Sequence, residues 1–281
     1  MRGLRAAGLH LRTAGRLVRR HGVSPRGALG TLDERLVFVV GSPRSGTTFL
    51  ARAIGSLPGF VDLGEVAPLK AAIPELAALP EEEGARRIRH TLTLTRRLGL
   101  VGSLRAVEQT PESAFVVRAA ARAFPQALFL HIIRDGRDVV CSLLERGWLS
   151  AGRAGEDDAG LPYGAGPRFW VEPERAEEFR AASDARRAAW AWRRYVTAAR
   201  QGPAERLYEL RYEVLSADPG SVAQDLAAFL DAPREILADA LRAAHGSSVG
   251  RWTRELSPEQ LADVEEECGA LLRELGYLRS P

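Results

Sequence analysis

Leu36-Val37-Phe38-Val39-Val40-Gly41-Ser42-Pro43-Arg44-Ser45-Gly46-Thr47-Thr48-Phe49-Leu50 is the stretch that decides the fold. Leu36 to Val40 is a continuous apolar run rich in β-branched residues, which predicts a strand buried on both faces. A loop bounded by Gly41 and Gly46 follows at once, and an apolar helical pattern runs from Phe49 to Leu57. Strand, glycine-bounded loop and helix together make a phosphate cradle. Amides at the start of the helix point into the loop, and the helix dipole favours an anion there. The plain alternative is an ordinary strand–turn–helix corner, but two glycines, an arginine and Thr47-Thr48 at one junction are hard to explain as packing.

The spacing from Gly41 to Gly46 is that of a nucleoside-triphosphate P-loop, yet Thr47 stands where the lysine that reaches the β- and γ-phosphates belongs. Arg44 is the cation of this loop. A guanidinium suits a two-pronged grip on one phosphate or sulfonate better than it suits a magnesium nucleoside triphosphate.

Outward from this loop, Ala127 to Ile133 is a second buried strand, and Arg134-Asp135-Gly136-Arg137-Asp138 follows it. Asp135 or Asp138 can cap the helix that runs on through Arg146. Ser142 and Arg146 are four apart and share a face of that helix, so with Arg134 they form a second anion site. Glu65, in Gly64-Glu65, sits just beyond a short extended segment, where open α/β sheets bind ligands. Helices are predicted over 68–79, 81–98, 112–123, 173–200, 218–230, 234–244 and from Ser257-Pro258 onward, with further strands at Ala106-Val107-Glu108 and Arg206 to Tyr212. Residues 147–168, rich in Gly, Ala and acid, read as a mobile loop that could cover an acceptor. The aromatics Trp190, Trp192 and Tyr195 read as packing, and His131 as a core histidine. The pattern as a whole is α/β: a P-loop-type parallel sheet flanked by helices, in one domain spanning 32–281.

The charge is unevenly placed. Net charge is +3 over 281 residues, but the first 32 residues carry seven arginines and no acid. Residues 1–31 are read as a basic N-terminal arm, partly ordered with a solvated face, in preference to a helix on membrane or nucleic acid. Gly22 to Gly30 reads as a linker. Lys70 is the sole lysine, so any catalytic lysine is Lys70. Cys141 and Cys268 are the two cysteines and both fall in helical patterns, which argues against a disulfide framework or a cysteine-based zinc site. No stretch has the length of a membrane span and no signal-peptide core follows the basic N-terminus, so a cytoplasmic protein without a nucleic-acid partner is expected.

Two anion sites on one parallel sheet, without the triphosphate lysine, suggest a nucleotide phosphorylated at two places. In these motifs the chain resembles the sulfotransferases that use 3′-phosphoadenosine 5′-phosphosulfate. Ser42 to Thr48 resembles their 5′-phosphosulfate loop, and Ile133 to Asp138 with Ser142 resembles their 3′-phosphate motif. The pattern is most similar to that of the tyrosylprotein sulfotransferases and their bacterial relatives, in Gly64-Glu65, in Arg134, Ser142 and Arg146, in Tyr212-Glu213, in Arg251-Trp252 and in the closing Leu275-Gly276-Tyr277. The resemblance implies that Arg44, Ser45, Gly46, Thr47 and Thr48 hold the 5′-phosphosulfate. It implies that Arg134 and Ser142 hold the 3′-phosphate, helped by Arg146 and Arg251, that Tyr212 and Ser248 line the nucleotide, and that Glu65 is the general base, with Arg44 also catalytic. A surface or capping carboxylate is the plain reading of Glu65. One departure stands out: relatives often carry lysine before Thr-Pro or Asp-Pro, where this chain has Gln109, which can donate a hydrogen bond but brings no charge.

The implied reaction is in-line transfer of the sulfuryl group to a hydroxyl acceptor, a phenol, tyrosine, sugar or small alcohol, leaving 3′-phosphoadenosine 5′-phosphate, with no metal required. A kinase-like phosphotransferase predicts magnesium dependence and triphosphate binding instead. A nucleotide-binding protein without turnover is the reading that Gln109 keeps open. The identity of the acceptor and the oligomeric state are not written in the sequence.

Overall fold

Val37–Val40 (β1) is buried along its whole length and is the middle strand of a five-stranded sheet. In the computed structural model, which describes residues 2–22 and 31–278, β1 lies between Arg105–Glu108 (β3) and Leu128–Ile133 (β4). Phe60–Gly64 (β2) lies outside β3, and Leu207–Arg211 (β5) outside β4, giving the order β2-β3-β1-β4-β5 with every pair parallel. Parallel strands need crossovers, and crossovers put helices on both faces. β1 shows the result at period two: Phe38 and Val40 enter one core with Phe124, Phe129 and Trp190, while Val37 and Val39 enter the other with Leu50, Ile54 and Leu226. The chain is thus a single α/β domain with its sheet between helices, as the apolar runs predict.

Strand order fixes where a ligand can lie. The chain leaves β1 for β2 and β3 on one side, then crosses to β4 and β5 on the other. The carboxyl ends of β1 and β4 therefore flank a topological switch point, where open α/β sheets bind ligands. Thr47–Gly55 (α2) follows β1, and Gly136–Arg146 (α6) follows β4. Between them in sequence come Ala67–Leu76 (α3), Glu81–Leu98 (α4) and Val117–Ala123 (α5).

The N-terminal stretch differs from the expected solvated arm. Arg2–His21 (α1) is one helix packed on α3 and α4. Leu9, Thr13, Ala14 and Leu17 recur at helical spacing and are buried, and His10 Nδ1 lies 3.0 Å from Thr95 Oγ1. Its arginines mask this narrow stripe in the sequence. Of the expected linker, 23–30 lies outside the described residues.

The long helix expected over 173–200 is interrupted. A short helix Ala176–Ala181 stops, and Ser183 caps a new one, Asp184–Ala199 (α7), accepting a hydrogen bond from Arg186 N at 3.0 Å. The helix expected from Glu112 begins as a tighter turn, Pro111–Val116. The strand expected to reach Tyr212 ends at Arg211, and Tyr212 opens the short helix Tyr212–Ala217. The last helix, Pro258–Glu274 (α8), opens as predicted with Ser257 as cap and Pro258 at its first position. No helix among the described residues is long and apolar enough to cross a membrane.

Candidate active site

The loop after β1 is shaped by close approaches. A Cβ on Gly41 would lie 2.5 Å from Ile132 O, and one on Gly46 would lie 2.7 Å from Tyr212 Cδ2. Gly46 also has φ 102° at the start of α2, which has no side-chain cap, so glycine is needed for both space and backbone. Arg44 holds φ 73°, a left-handed conformation that costs a non-glycine residue about 1 kcal/mol or more. Its side chain explains the persistence of that strain, because Arg44 Nε donates to Ser142 Oγ at 2.9 Å. This bond joins the loop after β1 to α6.

Arg134, at the end of β4, is buried at the same junction. Its Nη1 donates to Arg44 O at 3.4 Å, its Nη2 donates to Ser248 O, and its guanidinium lies over the Tyr212 ring at 5.0 Å. Arg134 Nε and Ser45 Oγ are buried without a hydrogen-bond partner among the described residues. Two unpartnered polar atoms at one cradle mark a place that a polar ligand would satisfy. Loop 246–252 closes the far side: Asp138 accepts from Gly250 N at 2.8 Å and from Trp252 N at 3.1 Å, and Tyr212 Oη donates to His245 O at 3.0 Å. Asp135 caps α6 by accepting from Arg137 N at 3.0 Å.

Four arginines surround this cradle. Burial lowers the pKa of Arg44, and the charges of Arg146, Arg134 and Arg251 lower it further, against Glu145. An anion bound there would relieve that repulsion. Arg251 is already paired, with Glu255 at 2.7 Å and Glu145 at 3.3 Å, and Arg146 is exposed at the edge.

On the other side of Arg44 lies a cavity of about 530 Å³, covered by loop 147–172. Arg44, Thr47 and Thr48 form its floor beside Glu65, and Trp148, Tyr163, Phe169, Trp170 and Tyr195 supply aromatic walls. Tyr195 thus does more than pack. The Glu65 side chain is 37% exposed, its Oε2 accepts from Lys70 Nζ at 2.7 Å, and its backbone O accepts from Arg16 Nη2 at 2.6 Å. Lys70 Nζ also lies 2.9 Å from Asp157 Oδ2 on the covering loop. Burial alone would lower Lys70, but the charges of Glu112 and Glu65 and the hydrogen bonds to Glu65 and Asp157 outweigh it and hold the ammonium well above the ordinary lysine range.

The turn that carries Glu65 is tied to β3, since Val66 N donates to Thr110 Oγ1 at 3.0 Å. Below it, burial pushes Glu108 and Glu112 up to about 7. Glu108 accepts from Thr110 N at 2.8 Å and Ser113 Oγ at 2.9 Å, and Glu112 from Tyr195 Oη at 3.2 Å. Gln109 Oε1 accepts from Thr48 Oγ1 at 3.2 Å, so the neutral residue does sit at the loop. Among the described residues, no group of three or more His, Cys, Asp or Glu side chains is arranged to hold a metal ion.

Arg44, Ser45, Gly46, Thr47, Thr48, Arg134, Ser142, Tyr212 and Ser248 therefore meet at the switch point, and Glu65 reaches the same loop from the cavity side. Arg146 and Arg251 stand at the rim. Sequence reasoning missed Asp157, Glu112 and Arg16, it saw Asp138 only as a possible helix cap and not as the acceptor that holds loop 246–252, and it saw Lys70 without its partners. The solitary lysine was the one usable signal, since the others are common residue types in unremarkable contexts.

The family model of the sulfotransferases matches residues 92–235, about half of the chain. Solved structures with a similar fold include the sulfotransferase domain from the curacin biosynthetic pathway, at TM-score 0.53 and 16% identity, covering 86% of this chain and 98% of that one. Mouse sulfotransferase SULT7A1 complexed with PAP aligns at TM-score 0.53 and 15% identity, covering 90% of each chain. Sulfotransferase STF9 from Mycobacterium avium aligns at 0.51 and 16%, covering 96% of this chain and 83% of that one. No curated protein sequence matches the chain. At these identities the structural likeness concerns the fold.

Proposed function

Because this chain belongs to the sulfotransferase family, we propose that it moves a sulfuryl group from 3′-phosphoadenosine 5′-phosphosulfate to a hydroxyl acceptor held in the cavity beside Glu65. The observation that carries the choice of donor is the Arg44–Ser142 bond, 2.9 Å long, which joins the loop after β1 to α6 and so brings two cation-bearing segments into one site. A nucleotide phosphorylated at two places matches two joined anion sites, and the PAP complex of the mouse relative supports the same choice. The unpartnered Ser45 Oγ and Arg134 Nε fit such a ligand. Arg44 and residues 45–48 would hold the 5′-phosphosulfate, and Arg134 and Ser142 the 3′-phosphate, with Arg146 and Arg251 at the rim and Tyr212 and Ser248 beside the nucleotide.

The donor supplies a sulfuryl group already activated by its phosphate leaving group. The protein then has three tasks. Glu65 Oε1, the oxygen that Lys70 leaves open, takes the acceptor proton. The aromatic cavity orients the acceptor and keeps water out. Arg44, Thr47 and Thr48 meet the charge that builds on the leaving oxygen. Gln109 adds no charge, so more of that load falls on Arg44 than where a lysine is present.

Thermal stabilisation by 3′-phosphoadenosine 5′-phosphate, compared with magnesium ATP and adenosine 5′-phosphate, tests the reading. At a hundred times its dissociation constant the ligand adds about 2.7 kcal/mol of stability. The expected result is stabilisation by the 3′-phosphorylated nucleotide alone, lost in Arg134→Ala. Stabilisation by magnesium ATP instead would replace this reading with the kinase-like one. Binding without transfer to any phenol, sugar or alcohol would mark a binding protein.

A further inference from the structure

Lys70 joins Glu65 to the loop that covers the cavity. Its Nζ is 2.7 Å from Glu65 Oε2 and 2.9 Å from Asp157 Oδ2, and the residue is 9% exposed. The other oxygen of Asp157 accepts from Ala159 N at 2.9 Å and Leu161 N at 2.8 Å, so the same carboxylate shapes the tip of the loop. One ammonium thus lies between a carboxylate at the reacting centre and a carboxylate on the cover.

We propose that Lys70 and Asp157 are positioning residues that make proton acceptance by Glu65 depend on the seating of loop 147–172. This rests on the reading of Glu65 as the base. In the transfer, the acceptor O–H proton passes to Glu65 as the acceptor oxygen bonds to sulfur and the bond from sulfur to the leaving phosphate oxygen breaks. With the loop seated, Glu65 Oε2 and Asp157 Oδ2 share one ammonium, which leaves Glu65 Oε1 toward the acceptor. Once Glu65 is neutral, Lys70 keeps a full partner in Asp157. With the loop lifted, Lys70 loses Asp157 and keeps Glu65 with Glu112 behind it, so a proton arriving on Glu65 costs the ammonium its hydrogen-bonded carboxylate. Opposite charges close by lower a carboxyl pKa and like charges raise it.

Other charged groups face this cluster. Glu112 lies behind Lys70 with Tyr195 on its far side, Glu108 lies beneath on β3, Arg168 and Asp158 come from the loop, Arg44 comes from the floor, and Arg16 of α1 holds the Glu65 carbonyl. Glu112 titrates in the range of interest, so the test is run in Glu112→Gln as well.

Lys70 is the sole lysine of the chain. Protein grown with lysine labelled with carbon-13 at Cε therefore gives one lysine side-chain resonance, and its pH titration follows the partners of Lys70 without any acceptor. The expected result is a titration step that Glu65→Gln removes and that Asp157→Asn moves to lower pH. In kinetics, the acid limb of kcat/KM moves down in Asp157→Asn and up in Lys70→Met, in both the parent and the Glu112→Gln background, while nucleotide binding is unchanged. A resonance indifferent to Glu65→Gln, or a step that Asp157→Asn leaves in place or raises, overturns the proposal. Both of these variants keep Lys70, so the test survives if Lys70→Met does not fold. If 3′-phosphoadenosine 5′-phosphate fails to stabilise the protein, the reading of the site falls and the proposal with it. If the nucleotide binds and transfer proceeds while the Lys70 step ignores Asp157, the proposal alone falls.

Discussion

Arg44 does three things with one side chain. It holds a left-handed backbone, donates to Ser142 and lines the cavity beside Glu65. On the proposed reading Glu65 is the base, and its carboxylate lines the cavity beside Arg44, Thr47 and Thr48. Replacing it with glutamine keeps a hydrogen-bond acceptor and removes the base, so kcat is expected to fall by about a hundredfold or more while nucleotide binding is kept. Single-turnover kinetics beside a binding isotherm separates the two effects. Gly46→Ala fails in a different way. The new methyl meets Tyr212 at 2.7 Å, under the guanidinium of Arg134, and the backbone holds φ 102°. Loss of about 1–3 kcal/mol of stability is expected, together with weaker nucleotide binding, measured by denaturation and by thermal shift.

At the scale of elements, α1 and α8 make contrasting demands. α1 is legible as a helix only if its arginines are set aside, because its buried stripe is narrow. It earns its place by contact with the site: Arg16 donates to the carbonyls of Leu63 and Glu65 at 2.9 and 2.6 Å. Arg16→Ala is expected to lower kcat severalfold with nucleotide binding intact, because it frees the turn that aims Glu65. Equal loss of nucleotide binding in that variant would place the effect of α1 on the whole fold instead. α8 tests local stability alone. Ser257 and Gln260 form a reciprocal cap, with Gln260 N donating to Ser257 Oγ and Ser257 N donating to Gln260 Oε1. Ser257→Ala should cost about 1 kcal/mol and lower Tm without changing transfer.

For the whole molecule, two buried carboxyls set an unusual pH response. Glu108 and Glu112 are pushed from an ordinary 4.5 up to about 7 by burial. Between those values the unfolded chain has released protons that the folded chain keeps, so these groups favour folding fully below about pH 4.5, and that advantage is lost as pH rises through 7. Burial lowers His131 and His10 and acts in the opposite sense over the same range, so the check is a comparison: between pH 5 and pH 8, urea denaturation should show the parent losing stability relative to Glu108→Gln by an amount on the order of a few kcal/mol. What the sequence conveyed follows the range of the forces involved. Apolar runs at β1 and β4 and the glycine loop report local geometry, so the sheet and the strand–loop–helix corners after β1 and β4 could be read directly. Asp157 meets Lys70 across 87 positions of chain, and neither neighbourhood hints at the other. The breaks at Ser183 and Tyr212 were hidden because helical spacing continues across the first and strand character runs into the second. The Arg44–Ser142 bond has one more consequence. It fixes the span between two charged cradles, so the site works as a gauge. On the proposed reading, a nucleotide is measured by the distance between its two phosphates before its base is ever consulted, and one with a single phosphate fills half of the gauge and leaves part of the repulsion on Arg44 unrelieved.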